Sequence, residues 1–291
     1  MLVGEDHVSR RTFVLLIGGL ALLTILALVA LTIANQLPPE KADAAISLTT
    51  DLGSVGFGFL AAAVLLLVAR RFQPGNPLRR IWLLLGIGIG VYAVGDVVWT
   101  VLDVRSGFGD VPYPSLADAL YLAQYGFLGV AIIRTAAAFR RSTDVRKPLA
   151  FAIAMALLAC VVVGVFVVAP VVADPATSLA QKTLGAVYPI GDIVVLLGPA
   201  LFIALAAQKM GRVHAVPQWW VLAAGLAVMS LSDITFTWLD WTGRYASGSP
   251  VDFGWMLSLL LIALAGSLAA DAVGARKTKD SPTSALRPIA V

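Results

Sequence analysis

Carboxylic side chains inside long apolar segments are the residues of this sequence best suited to chemistry. Of the 17 acidic residues, 15 are aspartates, and Asp96, Asp192 and Asp233 lie well inside apolar runs. A carboxylate at that depth in a bilayer is costly unless it is paired, hydrated or protonated. The sequence therefore predicts a polar cavity that water can enter.

Helical spacing groups these aspartates with aromatic and hydroxyl side chains. Asp96, Trp99 and Asp103 recur at i, i+3 and i+7, which places them on one helical face. The predicted ligand-binding residues are Asp96, Trp99, Asp103, Asp118, Tyr121, Tyr125, Tyr188, Asp192, Asp233, Thr237 and Asp240. Carboxylates framed by rings suit an amine, another cation or a polar small molecule, and a proton is a further candidate.

A structural role for the same carboxylates is the alternative. Hydrogen bonds to Thr100, Thr237 or Ser230 would make the deep aspartates interhelical contacts only. Asp118 and Asp252 follow helix starts, where a carboxylate satisfies backbone N–H groups and the helix dipole.

Other chemistries lack the residues they need. The single cysteine, Cys160, lies in an apolar run, and the two histidines, His7 and His214, lie outside such runs. No lysine lies inside a span, which excludes a retinal Schiff base. The sequence predicts no metal site, no cofactor, no catalytic residue and no nucleic-acid partner.

The elements that carry these residues are membrane spans. The chain is 59% hydrophobic and 13% charged, with a mean hydropathy of +0.89. A span needs about 20 apolar residues. We predict an all-α polytopic bundle in the lipid bilayer, with eight spans at about 13–34, 46–69, 81–103, 115–138, 148–169, 184–207, 217–241 and 251–270.

Basic residues predict the orientation of the bundle. One alternate set of loops and termini holds 17 Lys and Arg residues, and the other set holds 4. By the positive-inside rule, both termini are cytoplasmic in the plasma membrane and the aspartates face outwards. Arg10-Arg11 also resembles an export signal, but the long apolar run that follows favours an uncleaved first helix.

Spans three and seven share a sequence. Residues 95–103 and 232–240 agree at four of nine positions, including both aspartates, and start 137 residues apart. This offset of four spans predicts a parallel duplication with halves at about 13–138 and 148–270.

Three segments together resemble the multispan N-terminal sensor region of bacterial, particularly actinobacterial, GGDEF and EAL signalling proteins. They are residues 113–125, Gly95-Asp96 and Tyr188-Pro-Ile-Gly-Asp192. The resemblance implies a sensor that controls a cytoplasmic output domain, in cyclic-di-GMP-type signalling. It departs from the full pattern because only a short basic tail, 271–291, follows the eight spans. The resemblance favours a fragment over a stand-alone module that acts on a partner.

These observations divide the chain into a cytoplasmic segment 1–12, a membrane domain 13–270 and a cytoplasmic tail 271–291. We expect a non-catalytic signal-input module that binds an extracytoplasmic small molecule, cation or proton and acts on an output domain in cis or in trans. A homodimer is compatible with this role. A cation- or proton-coupled transporter and a membrane scaffold subunit are the alternatives.

Overall fold

Helices account for the whole regular structure of the described residues. The computed structural model describes residues 9–109, 111, 113–141, 143–209 and 217–279. It is 87% helical and has no strand in that part of the chain. The helices are α1 (Arg10–Gln36), α2 (Pro39–Arg71), α3 (Pro77–Arg105), α4 (Leu116–Phe139), α5 (Arg146–Ala173), α6 (Leu179–Lys209), α7 (Pro217–Trp241) and α8 (Pro250–Lys279).

All eight helices are long and apolar enough to cross a membrane, so the predicted all-α polytopic bundle is confirmed. Seven of the eight helices extend beyond the predicted spans, and two of them enter the predicted terminal segments. Helix α1 starts at Arg10, within the predicted segment 1–12, and α8 continues to Lys279, within the predicted tail. Residues 1–8, 210–216 and 280–291 lie outside the described residues. Both histidines, His7 and His214, are among them.

Local sequence explains where the helices start. The Ser115 hydroxyl and the Asp118 carboxylate form a capping box at the start of α4, and Ser178 with Gln181 forms another at the start of α6. Asn76 caps α3 and is followed by Pro77, whose missing N–H costs nothing in the first turn. The predicted N-terminal role of Asp118 is thus confirmed.

Helices α5 and α6 each contain a π-helical turn, at Gly164–Val168 and Asp192–Leu197. In α6 the turn follows Pro189, which cannot donate a backbone hydrogen bond. Such turns recur at functional sites, and the one in α6 starts at a predicted site residue, Asp192.

The two ends of the bundle differ in character. The described residues of the connections 37–38, 106–115, 174–178 and 242–249 lie at one end, called here the acidic end. Those of the connections 72–76 and 140–145 lie at the other, the basic end. Near the basic end, Trp82 stacks on Trp219 at 5.6 Å between ring centroids, and Phe139 meets Trp219 edge-on at 5.1 Å. Aromatic packing therefore fills the bundle there.

The last two helices of each half of the chain pack closely against each other. Helix α3 packs against α4 and α7 against α8, while α8 also lies along α2. Small residues permit close approach: a Cβ added at Gly86 would lie 3.1 Å from the backbone nitrogen of Leu66 on α2. Gly86 thus allows α2 and α3 to pack closely. Helices α1 and α5 are the most exposed and present apolar side chains outwards.

Candidate ligand-binding cavity

A cavity of about 860 Å³ enters the bundle from the acidic end. Exposed Gly109, Ala176 and Ala246, from three different connections, lie at its rim. Its deep wall includes Tyr92 and Gln124, which are buried within α3 and α4. The cavity thus extends from the loops into the membrane-spanning part.

Its lining is acidic and aromatic. Among the residues that the structure describes, nine aspartates line it and no Lys or Arg does. These are Asp43, Asp51, Asp96, Asp103, Asp118, Asp174, Asp233, Asp240 and Asp252. All six tyrosines of the chain also line it, namely Tyr92, Tyr113, Tyr121, Tyr125, Tyr188 and Tyr245.

The structure brings the eleven predicted site residues together. Ten of them line the cavity directly, and the eleventh, Asp192, lies fully buried behind the wall, where the Tyr125 hydroxyl donates a hydrogen bond to its Oδ1. Their role in binding a ligand stays a prediction.

Asp96 is held by donors from two neighbouring helices. The Tyr121 hydroxyl on α4 donates to Oδ1 at 2.9 Å, and the Ser54 hydroxyl on α2 donates to Oδ2 at 2.7 Å. The preceding residue, Gly95, makes room for the Tyr121 ring, because a Cβ there would lie 2.7 Å from Tyr121 Cε1. Glycine at this position is therefore part of the site.

The glycine of the second Gly-Asp pair also lies beside a donor ring, but less tightly. A Cβ at Gly191 would lie 3.4 Å from the ring of Tyr125, the residue that donates to Asp192. This is about an ordinary contact distance, so packing of the donor ring explains the glycine at Gly95 but does not require one at Gly191.

Asp233 on α7 accepts from an indole rather than from a phenol. The Trp255 Nε1–H on α8 donates to its Oδ1 at 2.7 Å. Asp233 therefore has an aromatic donor on the next helix, as Asp96 has in Tyr121.

Two aspartates nearer the mouth share a further arrangement. The Tyr188 hydroxyl donates to Asp118 Oδ1 at 2.8 Å, and the backbone N–H of Ser115 donates to Oδ2 at 2.6 Å. At Asp252 the Tyr245 hydroxyl donates to Oδ1 at 2.8 Å and the Gly248 N–H to Oδ2 at 2.6 Å. Each aspartate thus accepts one tyrosine hydroxyl and one backbone N–H, but Tyr188 comes from α6 and Tyr245 from the connection before α8, so the predicted repeat stays a prediction.

Two expected contacts differ from the predicted ones. Thr100 and Thr237 donate to the backbone carbonyls of Asp96 and Asp233, four residues earlier, and not to carboxylates. A threonine hydroxyl in a helix reaches that carbonyl readily. Ser230 Oγ is buried without a hydrogen-bond partner among the described residues.

Several lining residues were missed by the sequence prediction. Asp51 on α2 belongs with Ser47 and Ser54, at i, i+4 and i+7, a spacing that could have revealed it. Tyr92 lies four residues before Asp96, and Trp255 three after Asp252. These signals were present, but only the packing shows that the faces meet.

Two acceptor atoms in the lining have no hydrogen-bond partner in the part of the chain that is described. They are Asp51 Oδ2 and Gln124 Oε1, and Gln124 is only 3% exposed. Buried polar groups are normally hydrogen-bonded, so these two acceptors, whose oxygen atoms are themselves shielded from solvent, are exceptions to the usual pattern.

The tyrosines of the rim loops remain neutral donors. Burial, followed by the nearby Asp118, raises the pKa of Tyr113 well above its usual value of 10.0. Burial, followed by Asp252, likewise raises the pKa of Tyr245. Their phenol groups therefore keep their protons throughout the physiological pH range.

The donors described here are hydroxyl, indole and backbone N–H groups, which carry no charge. They orient the carboxylates without neutralising them, so a cation or protons must balance the negative charge of the cavity.

No protein-family model, curated protein or solved structure matches this chain.

Proposed function

We propose that this chain is a non-catalytic, membrane-embedded signal-input module that binds a cationic small molecule in the acidic cavity. The observation that carries the proposal is a cavity of about 860 Å³ whose lining, in the described part of the chain, has nine aspartates and no basic residue. Aromatic rings around carboxylates stabilise organic cations through the ring faces as well as through charge. The volume of the cavity is in the range of small-molecule binding sites in other proteins.

The distribution of Lys and Arg supports a cavity that opens away from the cytoplasm. Seventeen basic residues belong to the basic end and to the termini, against four at the acidic end. The proposed location is the plasma membrane, with both termini cytoplasmic. A ligand would then reach the aspartates from outside the cell.

Packing beneath the cavity favours a sensor over a carrier. Fully buried side chains from five helices fill the bundle there: Ile89, Leu128, Leu196, Leu226 and Leu259. The Trp82–Trp219 stack follows nearer the basic end. A carrier needs a polar route to both faces, and the layer that these described side chains form directly beneath the cavity is apolar.

Helix α8 is the proposed connection to an output. It carries Asp252 and Trp255 at the cavity and continues to Lys279 beyond the predicted membrane boundary. At the basic end the Thr12 hydroxyl of α1 donates to Asp271 at 2.7 Å. A change in packing around Asp252 would thus be transmitted along one continuous helix. The resemblance to GGDEF and EAL sensor regions motivates the proposal of a cyclic-di-GMP-type output domain, in cis or in trans.

The test is a thermal-unfolding measurement on the purified full chain in detergent, with butylammonium as the probe and butanol as its neutral counterpart. A ligand at 100 times its Kd stabilises the native state by about 2.7 kcal/mol. We expect butylammonium to raise the Tm, butanol to leave it unchanged, and Asp96→Asn and Asp233→Asn to reduce the rise. The exposed Asp144→Asn, at the basic end, is the matched control.

Absence of any cation-dependent stabilisation would refute the proposed function. Amide hydrogen exchange of the 72–76 and 140–145 connections, with and without butylammonium, tests whether ligand binding is transmitted to the basic end. Unchanged exchange rates would mean that the chain binds the ligand without signalling, as a scaffold subunit would. Accumulation of radiolabelled butylammonium in proteoliposomes would instead identify a transporter.

A further inference from the structure

Two of the deep aspartates meet between α6 and α7. The carboxyl groups of Asp192 on α6 and Asp233 on α7 lie within hydrogen-bonding distance of each other. Helix α7 packs directly against the π-helical turn that begins at Asp192. The two side chains, called here the carboxyl pair, therefore connect neighbouring helices inside the membrane-spanning part of the bundle.

Neutral donors hold one oxygen of each carboxyl group. The Tyr125 hydroxyl on α4 donates to Asp192 Oδ1, and the Trp255 Nε1–H on α8 donates to Asp233 Oδ1 at 2.7 Å. A phenol and an indole carry no charge, so neither donor neutralises a carboxylate. The contact between the two carboxyl groups has to be satisfied in another way.

One oxygen of the carboxyl pair lacks a donor. Asp192 is fully buried, and its Oδ2 is shielded from solvent and has no hydrogen-bond partner in the part of the chain that the structure describes. An unpaired buried acceptor is costly, and native proteins leave few of them. The neighbouring Asp233 carboxyl can form a hydrogen bond with Asp192 only when one of the two groups carries a proton.

The enclosed position of Asp192 Oδ2 excludes larger ligands. An oxygen without exposed surface is reached neither by water nor by an amine in the cavity. Among the described residues, no three His, Cys, Asp or Glu side chains come close enough together to hold a metal. Two ionised carboxylates in contact repel each other strongly in a medium of low dielectric constant, and such pairs retain one proton between them.

The surroundings of the carboxyl pair add acidic groups and no base. The ionisable side chains near the pair are Tyr92 and Asp96 on α3, Tyr125 on α4 and Tyr188 on α6. Helix α5 also packs against the π-helical turn, and its one ionisable side chain between Lys147 and Asp174 is Cys160. No described Lys or Arg lines the cavity beside Asp233, so no fixed cation takes the place of a proton.

We propose that Asp192 and Asp233 form a proton-binding site, in which two carboxyl groups share one proton and thereby join α6 to α7. Asp233 lines the cavity while Asp192 lies behind its wall, so the proton enters from cavity water through Asp233. It forms an O–H bond with one carboxyl group and is accepted by the other, and no other bond changes. This inference goes beyond the proposed function, since the proton lies in the wall and the cation in the cavity.

Infrared spectroscopy of the purified full chain in detergent at neutral pH tests the site, because a protonated carboxyl group has a C=O stretching band that a carboxylate lacks. We expect Asp192→Asn and Asp233→Asn each to remove the same band, equivalent to one protonated group. The double variant should remove no more, since both carboxyl groups share that proton. In each single variant the asparagine amide donates an N–H to the remaining carboxylate.

The matched control is Asp144→Asn, an exposed position at the basic end, which should leave the band unchanged. A band that persists in both single variants would overturn the proton-binding site. A double variant that loses twice as much absorbance as either single variant, or a band lost in only one single variant, would overturn the sharing of one proton.

Phenylalanine variants of the two donors keep the test decisive if the asparagine variants do not fold. Tyr125→Phe and Trp255→Phe each remove a hydrogen bond to one member of the carboxyl pair and should shift the frequency of the band. Tyr245→Phe, whose hydroxyl donates to Asp252, should not shift it. A band that neither donor variant moves would overturn the inference.

The spectrum is recorded without any added cation, so its outcome is separate from that of the butylammonium experiment. The shared-proton band in a chain that butylammonium does not stabilise would support this inference while the proposed function fails. Stabilisation by butylammonium without the band would leave the proposed function standing and overturn this inference.

Discussion

Gly95 offers a direct test of how the cavity wall is built. In Gly95→Ala the new Cβ would lie 2.7 Å from Tyr121 Cε1 and 2.9 Å from Cδ1. Carbon atoms in contact prefer about 3.5–4.0 Å, so the ring must move by about 1 Å. The Tyr121–Asp96 hydrogen bond, now 2.9 Å, would then be lost or severely weakened.

The energetic cost follows from these distances. Overpacking costs about 1–3 kcal/mol, and a hydrogen bond to a charged group contributes about 1.5–3 kcal/mol. Replacing glycine by alanine in a helix returns about 0.5–1 kcal/mol. We therefore expect Gly95→Ala to lower the free energy of unfolding by about 2–4 kcal/mol, allowing for partial relaxation of the ring.

Reversible unfolding of the purified chain in mixed micelles measures this effect. Gly56→Ala on α2 is the matched control, because its Cβ would meet nothing within 4 Å, and it should be neutral or stabilising. Gly95→Ala combined with Tyr121→Ala should show strong non-additivity, since the clash disappears with the ring. If Gly95→Ala proves as stable as Gly56→Ala, the steric account of Gly95 is refuted.

Three other predictions concern the donors, the rim and the topology. Tyr125→Phe removes the hydrogen bond to the fully buried Asp192 and should destabilise the fold by about 1–3 kcal/mol. Tyr245→Phe should destabilise it less, since Asp252 keeps its hydrogen bond from the Gly248 N–H. Equal losses of stability in chemical unfolding would contradict this prediction. Because the pKa of Tyr245 is raised in the folded chain, its contribution to stability is present below pH 10 and falls as the pH rises further, since the tyrosine ionises first in the unfolded chain. Wild type should therefore lose more stability than Tyr245→Phe between about pH 10 and pH 11. Parallel stability curves for the two proteins would refute this prediction. In a Cys160→Ser background, an impermeant maleimide should label Ala246→Cys but not Arg141→Cys on intact cells, and the reverse pattern would invert the proposed orientation.

The sequence was sufficient to predict the eight helices and the end of the bundle at which the aspartates lie. Apolar length defines a span because a bilayer leaves the backbone no partner outside its own helix. The same constraint makes Asp96, Asp192 and Asp233 conspicuous, since a carboxylate inside an apolar run is costly. Such signals are local and require no knowledge of neighbouring helices.

Only the tertiary structure decided which donor serves which carboxylate. Tyr121 reaches Asp96 while Tyr125, one turn further along α4, reaches Asp192 on α6. Asp51 joins Asp103 and Asp96 because α2 packs against α3 with Ser47 and Ser54 facing it. Periodicity assigns a residue to a face of its own helix, but the partner of that face depends on helix rotation and depth, which packing of the whole bundle determines.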